Sequence, residues 1–144
     1  MLAITPFTTM SKWLGLLHII SVVAAFGPML VYPTLRRAGA VDALARLHMR
    51  LTLPALVALW VFGMGLAGVS KPSGADDVVY HVSETWLVLA LIDWAILMVV
   101  AWILIRPAIG DRSDASTARF SAGVGITHLG LVVGLVLMIW KPGA

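Results

Sequence analysis

The chain of 144 residues contains no cysteine. That removes disulfides, thiolate catalysis and iron–sulfur ligation from consideration. Charge is scarce too, at 12% of residues, and aromatic residues make up 8%. No glycine-rich phosphate loop, dinucleotide fingerprint or hydrolytic serine motif is present. A basic helix outside the apolar stretches is also missing, so nucleic acid is not an expected partner. What is there is aliphatic: 60% of residues are hydrophobic and the mean hydropathy is +0.98, beyond the range of soluble domains.

Four apolar stretches, about 12–35, 47–69, 84–106 and 119–141, divide the sequence. About 20 apolar residues cross a bilayer core, so the four account for most of the chain. The expected fold is all-α: one integral domain over residues 1–144, a bundle of four transmembrane helices. Charge sorts along it. The seven arginines (36, 37, 46, 50, 106, 112 and 119) follow the first and third stretches, whereas Lys12, Lys71 and Lys141 sit at the ends and in the middle connector. The positive-inside rule then puts the arginine connectors in the cytoplasm and both termini outside. A multi-pass protein of a bacterial-type inner membrane is the expectation. Contact with anionic lipid headgroups accounts for the arginines. Tyr32-Pro33 and Gly39 mark the first exit, and the first stretch reads as a retained helix, not a signal peptide. The second and fourth stretches both leave through Lys-Pro, which fits two repeated helical hairpins as well as simple interface anchoring. Trp13, Trp86 and Trp140 fit an aromatic belt, and Trp60, Trp94 and Trp102 lie deeper, where packing is expected.

Three ionisable side chains fall inside the stretches: His18, Asp93 and His128. Such groups are costly in hydrocarbon and mark function by default. Counted at 1.5 Å per residue from the flanking charges, they lie ~9, ~13 and ~19 Å below the outer surface. Ser11, Gly15, His18, Ser21 and Ala25 share a stripe on helix 1, as Ser121, Gly125 and His128 do on helix 4, and Gly130 with Gly134 adds a GxxxG pair suited to helix packing. Two intramembrane histidines with small neighbours suit a b-type haem, with Asp93 fixing a tautomer. The ~10 Å difference in level between His18 and His128 is large for one iron. A structural polar cluster and a proton or metal path stand beside the haem reading. His48, next to Arg46 and Arg50, reads as an interfacial histidine. In the outer loop Asp76, Asp77, His81 and Glu84 could hold copper or zinc, although a solvated acidic loop explains them more simply.

The run from Trp13 through His18 to Val23, with Phe26, Tyr32-Pro33 and Leu35, resembles the first helix of the membrane-bound, haem-containing protoporphyrinogen oxidases. Pro54-Ala55 and Trp60-Val61-Phe62-Gly63 in helix 2 are similar to that family as well, and Trp140-Lys141-Pro142 resembles its terminal Val-Lys-Pro. The helix-1 pattern also resembles the copper-resistance protein D family. It is similar as well to a set of predicted integral membrane proteins of about this length, the branch the resemblance favours. The resemblance implies His18 as a haem ligand. It does not carry the oxidase activity over, because the functional lysine early in helix 3 corresponds to the neighbourhood of Ala90 and the Asn-Glu pair of helix 4 to Val124-Gly125. No catalytic residue is therefore expected. The leading expectation is a small haem b protein for electron transfer or redox sensing, with cofactor contacts from His18, His128, Asp93, Gly15 and Gly125. The alternatives are a cofactor-free accessory or assembly subunit, in a homo-oligomer or a larger membrane complex, and copper handling through His81 and Glu84.

Overall fold

A computed structural model describes residues 9–69, 81 and 83–142. Four helices are long and apolar enough to cross a membrane: α1 (Thr9–Arg37), α2 (Val41–Val69), α3 (Thr85–Ala108) and α4 (Asp114–Trp140). No strand occurs among the described residues. The protein is a small all-α membrane protein. Its outer surface agrees with that solvent, since Ile19 on α1, Ile103 on α3 and Ile139 on α4 are each more than 60% exposed, a distribution suited to lipid and not to water.

The helices run further at the arginine-bearing end than the apolar stretches do. α2 starts at Val41 instead of 47, and α4 at Asp114 instead of 119. Hydropathy loses these turns because they are polar, but local chemistry favours them. The Ser113 side chain accepts a hydrogen bond from Ser116 N at 3.2 Å, and Asp114 sits in the first turn, where a cap and an acidic charge both stabilise a helix. α1 passes through Pro28 and Pro33 and ends at Arg37, because prolines are tolerated in membrane helices. Gly39, at φ 74°, closes it with the paired bonds Ala40 N to Leu35 O and Gly39 N to Arg36 O, the Schellman arrangement that needs a left-handed residue. Arg36 is more than a topology signal. Its guanidinium donates to Ala108 O, Asp111 O and Thr117 Oγ1 and lies 4.4 Å over the Phe120 ring, so it fastens α1 to the α3–α4 connection.

Two π-helical segments, His48–Thr52 in α2 and Val100–Ile105 in α3, each end two residues before a proline, Pro54 and Pro107. A widened turn absorbs the mismatch that a helical proline creates. This device relates α2 to α3, whereas a hairpin duplication would relate α1 to α3 and α2 to α4.

α1 packs chiefly on α2, and α3 on α4, with thinner contact between the two hairpins. The continuous core lies towards the arginine-bearing end, around Phe26, Met29, Tyr32, Leu56, Ile105 and Phe120. A second small cluster of Ala67, Trp86 and Leu87 closes the lysine-bearing end. Between them the hairpins separate.

Candidate functional site

The separation encloses an open cavity of about 630 Å³. Its wall is nearly all apolar, and the ionisable exceptions are His18, Asp93, Lys12 and Lys141. Pockets of this size and character, with a few polar groups, are the usual form of a small-molecule site.

His18 enters from α1. Its Nδ1 lies 3.2 Å from the Leu59 carbonyl of α2. A carbonyl only accepts, so Nδ1 carries the hydrogen and the lone pair is on Nε2. Nε2 has no hydrogen-bond partner among the described residues. Gly63 makes the contact possible: a Cβ at that position would come within 3.0 Å of His18 Cε1 and 3.1 Å of Nδ1. It stands one turn after Leu59, where a side chain would cover the carbonyl.

Asp93 enters from α3 and also borders a shallow outward groove with Leu89, Ile92 and Val133. Its Oδ2 lies 3.5 Å from the position a Cβ would take on Gly134, and its carboxyl has no protein partner among the described residues. The neighbouring Trp94 donates from Nε1 to Leu56 O at 2.8 Å and stacks on Trp60, with centroids 5.6 Å apart. Leu56 and Leu59 are about one turn apart, so His18 and the Asp93–Trp94 pair stand within about one turn of each other along the bundle. The two tryptophans pack on each other, as expected, and line the same cavity.

His128 is not part of this wall. It precedes Gly134 by six residues, which sets it about 9 Å nearer the arginine-bearing end. Its Nε2 is buried and has no hydrogen-bond partner among the described residues. The structure thus joins His18 with Asp93 and does not join either with His128. The two small-residue stripes also part company. Gly15 borders the cavity, whereas Gly125 and Ser121 are exposed. A Cβ would meet nothing within 4 Å at Gly15 or Gly125. Close packing falls to Gly123 against Ile105 and Gly130 against Leu97, where a Cβ would come within 2.7 and 2.6 Å.

His48 is fully buried inside α2, not interfacial. The extra turns of α2 carry it inward, and its π-helical position aims it at two neighbours. Nδ1 lies 3.1 Å from Tyr32 Oη, Nε2 donates to Ala101 O at 3.1 Å, and Tyr32 Oη donates to Thr52 Oγ1 at 2.7 Å. Nε2 is taken by Ala101 O and Nδ1 is covered by the Tyr32 hydroxyl, so this cluster pins α1, α2 and α3 together. The spacing of His48 and Thr52, i and i+4 on one face, was its only trace in the sequence.

At the lysine-bearing end, Glu84 accepts from His81 N at 2.9 Å and from the Trp86 indole. These donors hold its carboxyl below the ordinary carboxylate range. Trp86 is buried here, whereas Trp13 and Trp140 are 60% and 71% exposed. With both Glu84 oxygens engaged, the His81–Glu84 pair is a helix-entry clasp. No group of three His, Cys, Asp or Glu side chains suited to a metal ion occurs among the described residues, and Asp76 and Asp77 lie outside them.

No protein-family model, curated protein or solved structure matches the chain.

Proposed function

We propose that this membrane protein holds one b-type haem in the cavity between its hairpins, with His18 as the protein ligand, and serves electron transfer or redox sensing in a bacterial-type inner membrane. One observation carries the reading: His18 lines an apolar cavity of about 630 Å³ and is held by its Nδ1–H bond to Leu59 O, which leaves Nε2 as the lone-pair nitrogen. A histidine whose second nitrogen is fixed by a carbonyl is the ordinary form of a metal-ligating imidazole. The resemblance of helix 1 to haem-containing membrane oxidases supports the same residue. The residues fit a haem bound through one histidine. They do not fit a two-histidine site, because His128 is absent from the wall.

Bound there, haem would supply a one-electron centre within the bilayer. The chain's own part is to orient the imidazole through Leu59 and Gly63, to present Trp60 and Trp94 as apolar walls, and to keep one carboxyl, Asp93, within about one turn of it. Visible spectra of the detergent-purified protein, oxidised and dithionite-reduced, test the reading. A Soret band with sharp reduced α and β bands is expected. A protein that stays colourless after haem is supplied would instead favour the accessory-subunit reading, which has the outward-facing Ser121 and Gly125 as a helix-docking surface on its side.

A further inference from the structure

We propose that the cavity opens sideways into the bilayer between α1 and α4, and that its occupant is loaded from the lipid phase through this portal. The route rests on the wall of the cavity, and the identity of the occupant on the haem reading.

α1 has α2 and α4 for neighbours, and α4 has α3 and α1. Rotation of about 100° per residue sorts the wall residues between those neighbours. On α1, Ser11 and His18 face α2, where they meet Val69 O and Leu59 O. Ile19 and Leu16 lie about 100° and about 160° round from His18 in the same sense, turned away from α2. Both line the cavity, yet they are 61% and 46% exposed. Val23, one turn beyond Ile19, is exposed and outside the wall, so the cavity wall passes here into the lipid-facing surface. α4 repeats the pattern. Gly130 and Gly134 face α3, against Leu97 and Asp93. Leu135 lies about 140° round from Gly130, lines the cavity and is 49% exposed. Val132 and Ile139, before and after it on the helix, are exposed and outside the wall.

The other sides of the cavity are shut. Trp60 of α2 stacks on Trp94 of α3, whose indole donates to Leu56 O. Ala67, Trp86 and Leu87 close the lysine-bearing end. Towards the arginine-bearing end, Arg36 and Tyr32 of α1 both pack on Phe120 of α4. Gly15 widens the seam that is left, since a Cβ there, one turn before Ile19, would meet nothing within 4 Å. At the level of His18 the seam is aliphatic, lined by Leu16, Ile19, Leu131 and Leu135. Such an opening admits a solute dissolved in hydrocarbon, here a flat and largely apolar macrocycle. A lipid acyl chain is the competing occupant.

Bulk placed in a portal slows loading and release by the same factor and leaves affinity alone, whereas bulk in a binding site changes affinity. The first arm of the test adds haem to the protein in phosphatidylcholine vesicles and follows the Soret band. Ile19→Trp/Leu135→Trp should load and release haem about tenfold more slowly than the wild type, with Kd and Soret position unchanged. Should the double variant not fold, either single substitution must slow both rates in part. Leu129→Trp, the same bulk on an exposed position outside the wall, should change neither rate. The second arm needs no haem. An apolar aryl diazirine dissolved in the bilayer and photolysed should label Met64 and Leu91, on the far walls of the cavity, and the double variant should lose those labels while Leu129 keeps its own. Loading as fast in the double variant as in the wild type, slowing matched by an equal loss of affinity, or inner-wall labelling that survives the substitutions would overturn the portal and leave His18 ligation intact. Loss of the inner labels in a protein that never binds haem would keep the portal and overturn the haem reading.

Discussion

His18 and Gly63 meet so closely that a single methyl group on Gly63 would lie 3.0 Å from the imidazole carbon Cε1. The contact leaves the Leu59 carbonyl open to His18 Nδ1 at 3.2 Å and so sets the direction of the lone pair on Nε2. A function built on His18 is therefore sensitive to a residue that carries no chemistry.

Gly63→Ala separates the two roles. The added methyl displaces the ring by a few tenths of an ångström and weakens a hydrogen bond whose net value is about 1 kcal/mol. Haem affinity should fall by about five- to tenfold. Thermal stability should hold or rise, since alanine is favoured over glycine inside a helix by about 0.5–1 kcal/mol. Haem titration and a melt on the same preparation check both signs.

Tyr32→Phe tests the buried cluster. It removes the oxygen that meets both Thr52 Oγ1 at 2.7 Å and His48 Nδ1 at 3.1 Å. Leaving those groups unpaired should cost about 1–3 kcal/mol, read as a lower unfolding midpoint in detergent. A double-mutant cycle with His48→Phe should show coupling. The visible spectrum should not change, because the cluster is separate from the cavity wall.

The glycines of α4 are predicted to differ sharply. Gly130→Ala places a Cβ 2.6 Å from Leu97 Cδ2, an overpacking of the kind that costs about 1–3 kcal/mol, and Leu97→Val should relieve part of it. Gly134→Ala reaches Asp93 Oδ2 only at 3.5 Å, and Gly125→Ala reaches nothing within 4 Å. Both should be close to neutral. Melting temperatures of the three variants decide the matter.

Acid should loosen the entry to α3. The Glu84 carboxyl is held below its ordinary value of 4.5 by the His81 N–H and the Trp86 indole, so the stabilisation is present above that value. It is lost as pH falls through the depressed folded value. Trp86 fluorescence should shift in that acid range, and Glu84→Gln should remove the transition.

The sequence made the four helices legible because apolar length and charge sorting are strong signals, and both survive in Thr9–Arg37, Val41–Val69, Thr85–Ala108 and Asp114–Trp140. It made His18 and Asp93 legible as costly polar groups in apolar runs. Their convergence on one cavity was not legible. Rise along a helix gives depth, but rotation about the helix axis depends on partners, and Gly125 shows the consequence by facing outward. His48 escaped for a related reason. Hydropathy ended its helix near 47, whereas the polar turns from Val41 and the π segment carry it into the core. Arg36 shared its character with six other arginines, and only the fold shows which one clasps Ala108, Asp111 and Thr117.

The most direct measurement compares the reduced visible spectra of His18→Ala and His128→Ala with that of the wild type, before and after addition of imidazole. His18→Ala is expected to lose the haem bands and to regain them with imidazole, while His128→Ala keeps the wild-type spectrum. Loss of the bands in His128→Ala, or their persistence in His18→Ala, would contradict it.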